Sequence, residues 1–158
     1  DIGGGSGSGR PVRCVQVGGP LGAYHPPSQF DTPFDYEAFT GVDGLIGHGG
    51  LVVFDETVDM ASQARFAMEF CAAESCGKCT PCREGTGWLW RMVDRIENGQ
   101  GRPSDMDLLD NVAESIMGRT ICALGDAAAM PVRGMLKHFR AEFEHHITHK
   151  TCMVPAYI

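Results

Sequence analysis

Residues 74–85 read ESCGKCTPCREG, and within them Cys76, Cys79 and Cys82 form a C-x-x-C-x-x-C run. Three thiolates in one tight loop suit an iron–sulfur cubane: each of four irons takes one soft sulfur ligand, and three corners can face a single winding of backbone. Gly77 and Pro81 favour such a winding, with main-chain amides turned toward cluster sulfur. The fourth corner has to come from elsewhere, because no C-x-x-x-C-P continuation follows Cys82 as in bacterial ferredoxins. Cys122, in TICALGD between two helical stripes, is the best placed of the remaining cysteines. Cys71 falls on the apolar face of a helix, Cys14 in a strand and Cys152 in the tail, and a lone cysteine usually serves as a small buried hydrophobe.

Other chemistries fit the run less well. Structural zinc sites more often pair two separated C-x-x-C knuckles than place three cysteines in one run. A thioredoxin-type C-x-x-C belongs at the start of a helix in a βαβ unit, and nothing here reads that way. Radical chemistry on S-adenosylmethionine needs an open iron corner, which four ligands do not leave.

Composition narrows the class of protein. The chain has 158 residues, 43% of them hydrophobic, enough to bury a core. Its net charge of -7, with 13 Lys and Arg residues, argues against a nucleic-acid partner, since phosphate binding needs a basic surface. No window approaches the apolar length of a bilayer span, so no direct membrane insertion is expected. The start, DIGGGSGSGR, has neither an apolar h-region nor an initiating Met, and the chain reads as cytoplasmic and as a fragment. The seven cysteines are odd in number and four of them crowd between Cys71 and Cys82, which favours metal binding over a disulfide framework. GGGSGSG lacks a preceding strand and a following Lys-Ser, so it reads as a linker and not as a phosphate cradle.

The chain divides near residue 56. VRCVQV (Val12 to Val17) alternates as a strand, with Val12 and Cys14 on one face and Val15 and Val17 on the other; LVVFDE (Leu51 to Glu56) is a second strand. The Gly- and Pro-rich stretch GGPLGAYHPPSQFDTP predicts no regular structure. Four helical stripes follow. Met60, Ala64, Ala67, Met68 and Cys71 mark the first, capped by Thr57 or Asp59. Trp88, Leu89, Met92, Val93 and Ile96 mark the second, ending at Asn98 and Gly99. Leu108, Leu109, Val112 and Ile116 mark the third, with Ser104 and Asp107 at capping-box spacing and Gly118 at its end. Val132, Met135, Leu136, Phe139, Phe143 and Ile147 mark the fourth, with Pro131 in its first turn. Short connections between such stripes suggest a helical bundle.

Lys78 and Arg83 flank the cysteine loop and can offset the charge of a thiolate-ligated cluster, though solvated charges read almost as well. His145, His146 and His149 are expected on the polar side of the last helix, and Trp88 and Trp90 in the core. No catalytic triad, paired-carboxylate site or Cys-His arrangement stands out.

ESCGKCTPCREG, the remote Cys122, and GGPLGAYHPPSQFD leading into GLIGHGGLVVFDE together resemble the NADH-binding flavoprotein subunit of respiratory complex I and its relatives. Those relatives include the diaphorase subunits of NAD-dependent formate dehydrogenases and NAD-linked hydrogenases. The resemblance runs from about Val12 to Phe143, and the loop after Gly18 and the tail HKTCMVPAYI look most similar to the β subunit of formate dehydrogenase. It implies an α+β fold: a β-grasp (ubiquitin-like, SLBB-type) portion over residues 1–56, a four-helix bundle carrying one [4Fe-4S] cluster over 57–150, and a tail over 151–158.

By matched position, Cys76, Cys79, Cys82 and Cys122 become the cluster ligands, and Ala123 and Leu124 approach the flavin in the intact protein. The implied role is a relay of single electrons between FMN and other iron–sulfur clusters, in formate dehydrogenase or alternatively in complex I or an NAD-reducing hydrogenase. The glycine-rich FMN and NADH site of the family lies upstream in a Rossmann-like domain, none of which is in this sequence, and no catalytic residue is expected here. The implied partners are the FMN/NADH-binding portion of the same subunit, a thioredoxin-like [2Fe-2S] subunit and a molybdenum-containing formate dehydrogenase catalytic subunit. A competing reading is a structural docking module in which a metal staples the helices.

Overall fold

The computed structural model describes residues 3–154; residues 1 and 2 of the expected β-rich portion and 155–158 of the expected tail lie outside the described residues. VRCVQV forms β1 (Val12–Val17), the middle strand of a three-stranded antiparallel sheet ordered β2-β1-β3, with β2 at Ala23–His25 and β3 at Leu51–Asp55. Alternation along β1 sends Cys14 into the main core with Tyr24 and Phe54, while Val15 and Val17 pack with Phe39 and Ile46. The turn from β1 to β2 demands glycine at 22. A Cβ there would stand 1.8 Å from the carbonyl oxygen of Val17.

The Gly- and Pro-rich stretch is more regular than expected. It contains β2 and a single 3-10 turn at Pro27–Gln29, and it leads into α1 (Tyr36–Gly41), whose N-terminal Ala38 N–H donates to the Asp35 carboxylate at 2.7 Å. The prolines are compatible with this order: β2 is an edge strand that stops before Pro26, and Pro27 opens its turn, where no amide donor is needed.

Five helices follow: α2 (Met60–Glu74), α3 (Thr80–Glu97), α4 (Asp105–Ile116), α5 (Leu124–His138) and α6 (Arg140–His149). Asp59 caps α2 by accepting from Ala61 N–H at 3.1 Å. The helices α2 to α5 each pack on the next, α5 closes back on α2 and also rests on β2, and α6 lies across α2, α3 and α5. Met68, Cys71, Leu89, Val93, Ile96, Leu109 and Met135 are fully buried between them. Each large apolar side chain so buried contributes about 1.5–3 kcal/mol.

Several expectations need correction. The fourth stripe is two helices, because Phe139 leaves helical geometry (φ -130°, ψ 22°), turning its ring into the core and under the Arg13 guanidinium. Helix α5 starts seven residues before Pro131, which therefore sits in its interior. Its first turns are built from Gly125, Ala127, Ala128 and Ala129, all buried, whose small side chains give no visible stripe. Ser104 makes no side-chain cap; the buried Asp105 carboxylate instead accepts from Arg102 N–H at 2.8 Å and from Arg95. Trp88 is half exposed, and only Trp90 packs against the core. His146 is buried, whereas the rings of His145 and His149 stack on one another. Among the described residues no helix is long and apolar enough to cross a membrane.

The sheet is tied to the helices by a buried charge. Glu142 of α6 pairs with Arg13 of β1 and accepts from Met60 N–H at 3.0 Å, while Arg13 also donates to the Val58 carbonyl. One carboxylate thus links strand, helix start and last helix.

Candidate metal centre

Helix α2 ends at Glu74, and α3 begins at Thr80, so Cys76 lies in the connecting loop, Cys79 is the N-cap of α3 and Cys82 is in its first turn. The motif expected as a loop is therefore part loop and part helix. Pro81 fits there because the first turn of a helix has no use for its missing donor. Gly77 takes φ +77°, a left-handed conformation that reverses the chain between Cys76 and Cys79. The loop is held by Arg83, whose guanidinium donates to the Gly77 carbonyl at 2.8 Å and to Glu84. Arg83 is thus a structural clamp as well as a neighbouring positive charge. The start of α3 also brings the positive end of a helix dipole beside two sulfurs, an environment that suits negative charge.

Two polar groups meet these sulfurs. The Ser75 hydroxyl lies 3.3 Å from Cys82 Sγ and accepts from Gly77 N–H at 3.4 Å. The second comes from the α4–α5 connection, residues 117–123: Ile121 N–H donates to Cys79 Sγ at 3.3 Å. That connection is shaped by Gly118, at φ +69°, whose N–H donates to the Asp126 carboxylate, and by Thr120, whose hydroxyl donates to the Cys122 carbonyl at 2.9 Å. Cys122 therefore follows directly on the residue that touches the cysteine loop.

All four cysteines are free thiols; Cys82 is buried, Cys79 half-buried, and Cys76 and Cys122 exposed. Cys14 and Cys71 are fully buried in the core, as expected, and burial pushes both thiols up to about 12. Cys152 departs from that expectation, being exposed. Arg83 was expected as a charge beside the loop and not as its clamp, and Ser75 and the Ile121 amide were not singled out from the sequence. Adjacency to Cys76 was a signal for Ser75, but the Ile121 contact has no local signature.

The donor set fits an iron–sulfur cubane: four unpaired thiols on two touching loops, with a hydroxyl and a main-chain amide aimed at sulfur. It suits one zinc ion less well. The place among the described residues where three metal-ligating side chains lie within 4.8 Å of one another does not involve these cysteines. A cubane spreads its thiolates over four irons, so its sulfurs stand further apart than those around a single ion.

The fold and this donor set define an iron–sulfur-binding segment of the kind found in redox enzymes. Residues 62–146 match the family model described as the NADH-ubiquinone oxidoreductase-F iron-sulfur binding region, and the chain belongs to that family, whose cofactor is a [4Fe-4S] cluster. It is 42% identical over 144 residues to the second F-type chain of the NADH-quinone oxidoreductase of Rhizobium meliloti, covering 91% of this chain and 34% of that protein. It is 39% identical over 158 residues to the HndC chain of the NADP-reducing hydrogenase of Solidesulfovibrio fructosivorans, covering 100% of this chain and 32% of the other. An NAD+-reducing [NiFe]-hydrogenase in the H2-reduced state superposes with a TM-score of 0.77 at 32% identity, covering 87% of this chain and 23% of that one. The chain thus spans about a third of the length of the curated relatives it matches.

Proposed function

We propose that Cys76, Cys79, Cys82 and Cys122 ligate one [4Fe-4S] cluster, and that the chain relays single electrons between FMN and other iron–sulfur clusters of an NAD-linked oxidoreductase. The observation that carries the reading is the contact of Ile121 N–H with Cys79 Sγ, which docks the Cys122 loop on the C-x-x-C-x-x-C loop. When bound, the cluster supplies a site that gains and loses one electron. The protein's own groups do the rest. Ser75 and the Ile121 amide place donors on sulfur, Arg83 holds the loop, and the packed ends of α2, α3 and α5 keep both loops in place.

The architecture in this reading is a β-grasp (SLBB-type) portion up to about residue 56 and a four-helix cluster domain up to about 150, to which α6 adds a fifth segment. Ala123, exposed, and Leu124, half-buried, follow the fourth ligand and face the flavin-bearing part of the intact subunit. The loop after Gly18 and the tail point to NAD-dependent formate dehydrogenase, in the cytoplasm, with a thioredoxin-like [2Fe-2S] subunit and a molybdenum-containing subunit as partners. The relatives named above favour complex I or an NAD(P)-reducing hydrogenase as the second reading.

Anaerobically purified protein should contain about four irons per chain and give a cubane EPR signal when reduced. Stoichiometric zinc without iron would sink the proposal. A cluster that takes no electron from reduced flavoprotein would leave only the role of a metal staple.

A further inference from the structure

We infer that Asp59, His146 and Cys152 form a second metal site, for a single Zn2+ ion, at the opposite end of α2 from the iron–sulfur cysteines. Each residue contributes one ligand atom, and the three atoms lie within 4.8 Å of one another. They come from three separate elements: the cap of α2, the buried face of α6 and the segment after α6. Helix α2 has 15 residues, so about 22 Å of helix separates this place from Ser75 and Cys76. The inference does not depend on the electron-transfer reading.

The chemistry of the three groups is that of zinc. Carboxylate oxygen, imidazole nitrogen and thiolate sulfur are its three protein ligands, at about 2.0–2.3 Å, which puts tetrahedral ligand atoms ~3.3–3.6 Å apart. His146 Nε2 and Asp59 Oδ2 are already 3.0 Å apart. The remaining closure falls to Cys152, which is exposed on the segment after α6. Asp59 and a Cys152 thiolate together carry two negative charges and neutralise the ion. Three protein ligands leave one position for water.

The ring of His146 is 3% exposed, so an ion there would be held against a wall of protein. Its Nδ1 is buried beside the Glu97 main chain, which favours a proton on that nitrogen. A simple Asp–His ion pair does not account for the thiol, which the chain brings back to the start of α2 through Lys150, at φ 59° and with its ammonium on the Gly101 carbonyl. Filling the site displaces the Cys152 thiol proton to solvent and takes His146 as neutral imidazole with its proton on Nδ1 and Nε2 free for the ion, while Asp59 keeps Ala61 N–H as its second partner.

The test uses the intact protein carrying its iron–sulfur cluster, titrated with Zn2+ against a chromophoric chelator beside the Cys152→Ala variant. Substitution of an exposed side chain leaves the fold in place. We expect one Zn2+ per chain in addition to the iron, bound more than about 100-fold less tightly in the variant, since losing a ligand costs more than losing an outer-shell partner. Zn2+ should also protect Cys152 from alkylation, and Co2+ in its place should give a thiolate charge-transfer band that the variant lacks. Equal Zn2+ binding by both proteins, or Cys152 alkylation unaffected by Zn2+, would overturn the site and leave Asp59 and His146 as a pin between α2 and α6. Iron content and the cluster EPR signal, followed in parallel, report separately on the cysteines at the other end of α2.

Discussion

The main-chain N–H of Ile121 donates to Sγ of Cys79 at 3.3 Å, although the two residues are 42 apart in sequence. Cys122 follows directly on the residue that contacts Cys79, whereas Cys152 is at the other end of α2. Cys122→Ala should therefore strip or destabilise the cluster, and Cys152→Ala should leave it intact. Iron content and EPR intensity of the two variants decide the matter.

The Ser75 hydroxyl, oriented by Gly77 N–H, faces Cys82 Sγ, and toward a thiolate it can only donate. A donor to sulfur stabilises the more negative reduced state. Ser75→Ala is expected to lower the midpoint potential by an amount on the order of tens of mV without loss of iron. An unchanged potential in a redox titration would show that this hydroxyl does not tune the cluster.

Gly125 lies in the first turn of α5, where a Cβ would stand 2.3 Å from Thr120 Oγ1. Thr120 in turn holds the Cys122 carbonyl. Gly125→Ala should cost about 1–3 kcal/mol through overpacking and push the Cys122 loop outward. The readout is faster release of iron to a chelator.

Asp105 is fully buried, paired with Arg95 and bonded to Arg102 N–H. Removing the carboxylate leaves the Arg95 charge half-buried without its partner. Asp105→Ala should therefore lower stability by roughly 3 kcal/mol, read as a lower midpoint in urea, while cluster spectra at low denaturant stay unchanged.

Cys14 and Cys71 both carry thiols raised by burial to about 12, from 9.0. In the unfolded chain they lose protons near pH 9, and in the folded one only near 12. Their contribution to stability is therefore complete below pH 9 and declines as pH rises toward 12. In native protein at pH 8 neither should react with iodoacetamide, as mass spectrometry of the digested protein would show.

Strands β1 and β3 and the first three helical stripes were legible because their signals are local: alternation over six residues, or apolar recurrence every three to four. The start of α5 was not, because an Ala-rich segment buries small side chains without a contrasting stripe. The break at Phe139 also escaped, since the ring that ends α5 is drawn away by Arg13, a residue of the distant strand β1. Strand β2 escaped for a related reason, being ordered by pairing with β1 and not by its own composition.

The same division runs through the sites. The run Cys76, Cys79, Cys82 declares its chemistry in seven residues, because three sulfurs at that spacing share one turn of chain whatever surrounds them. The meeting of Ile121 with Cys79, and of Asp59 with His146 and Cys152, is invisible at that range. Those groups are 42 to 93 residues apart, and they touch only because α2, α3, α5 and α6 pack as they do. Spacing along the chain sets ligand type and local reach; burial of apolar surface, summed over the whole core, sets which distant groups become neighbours.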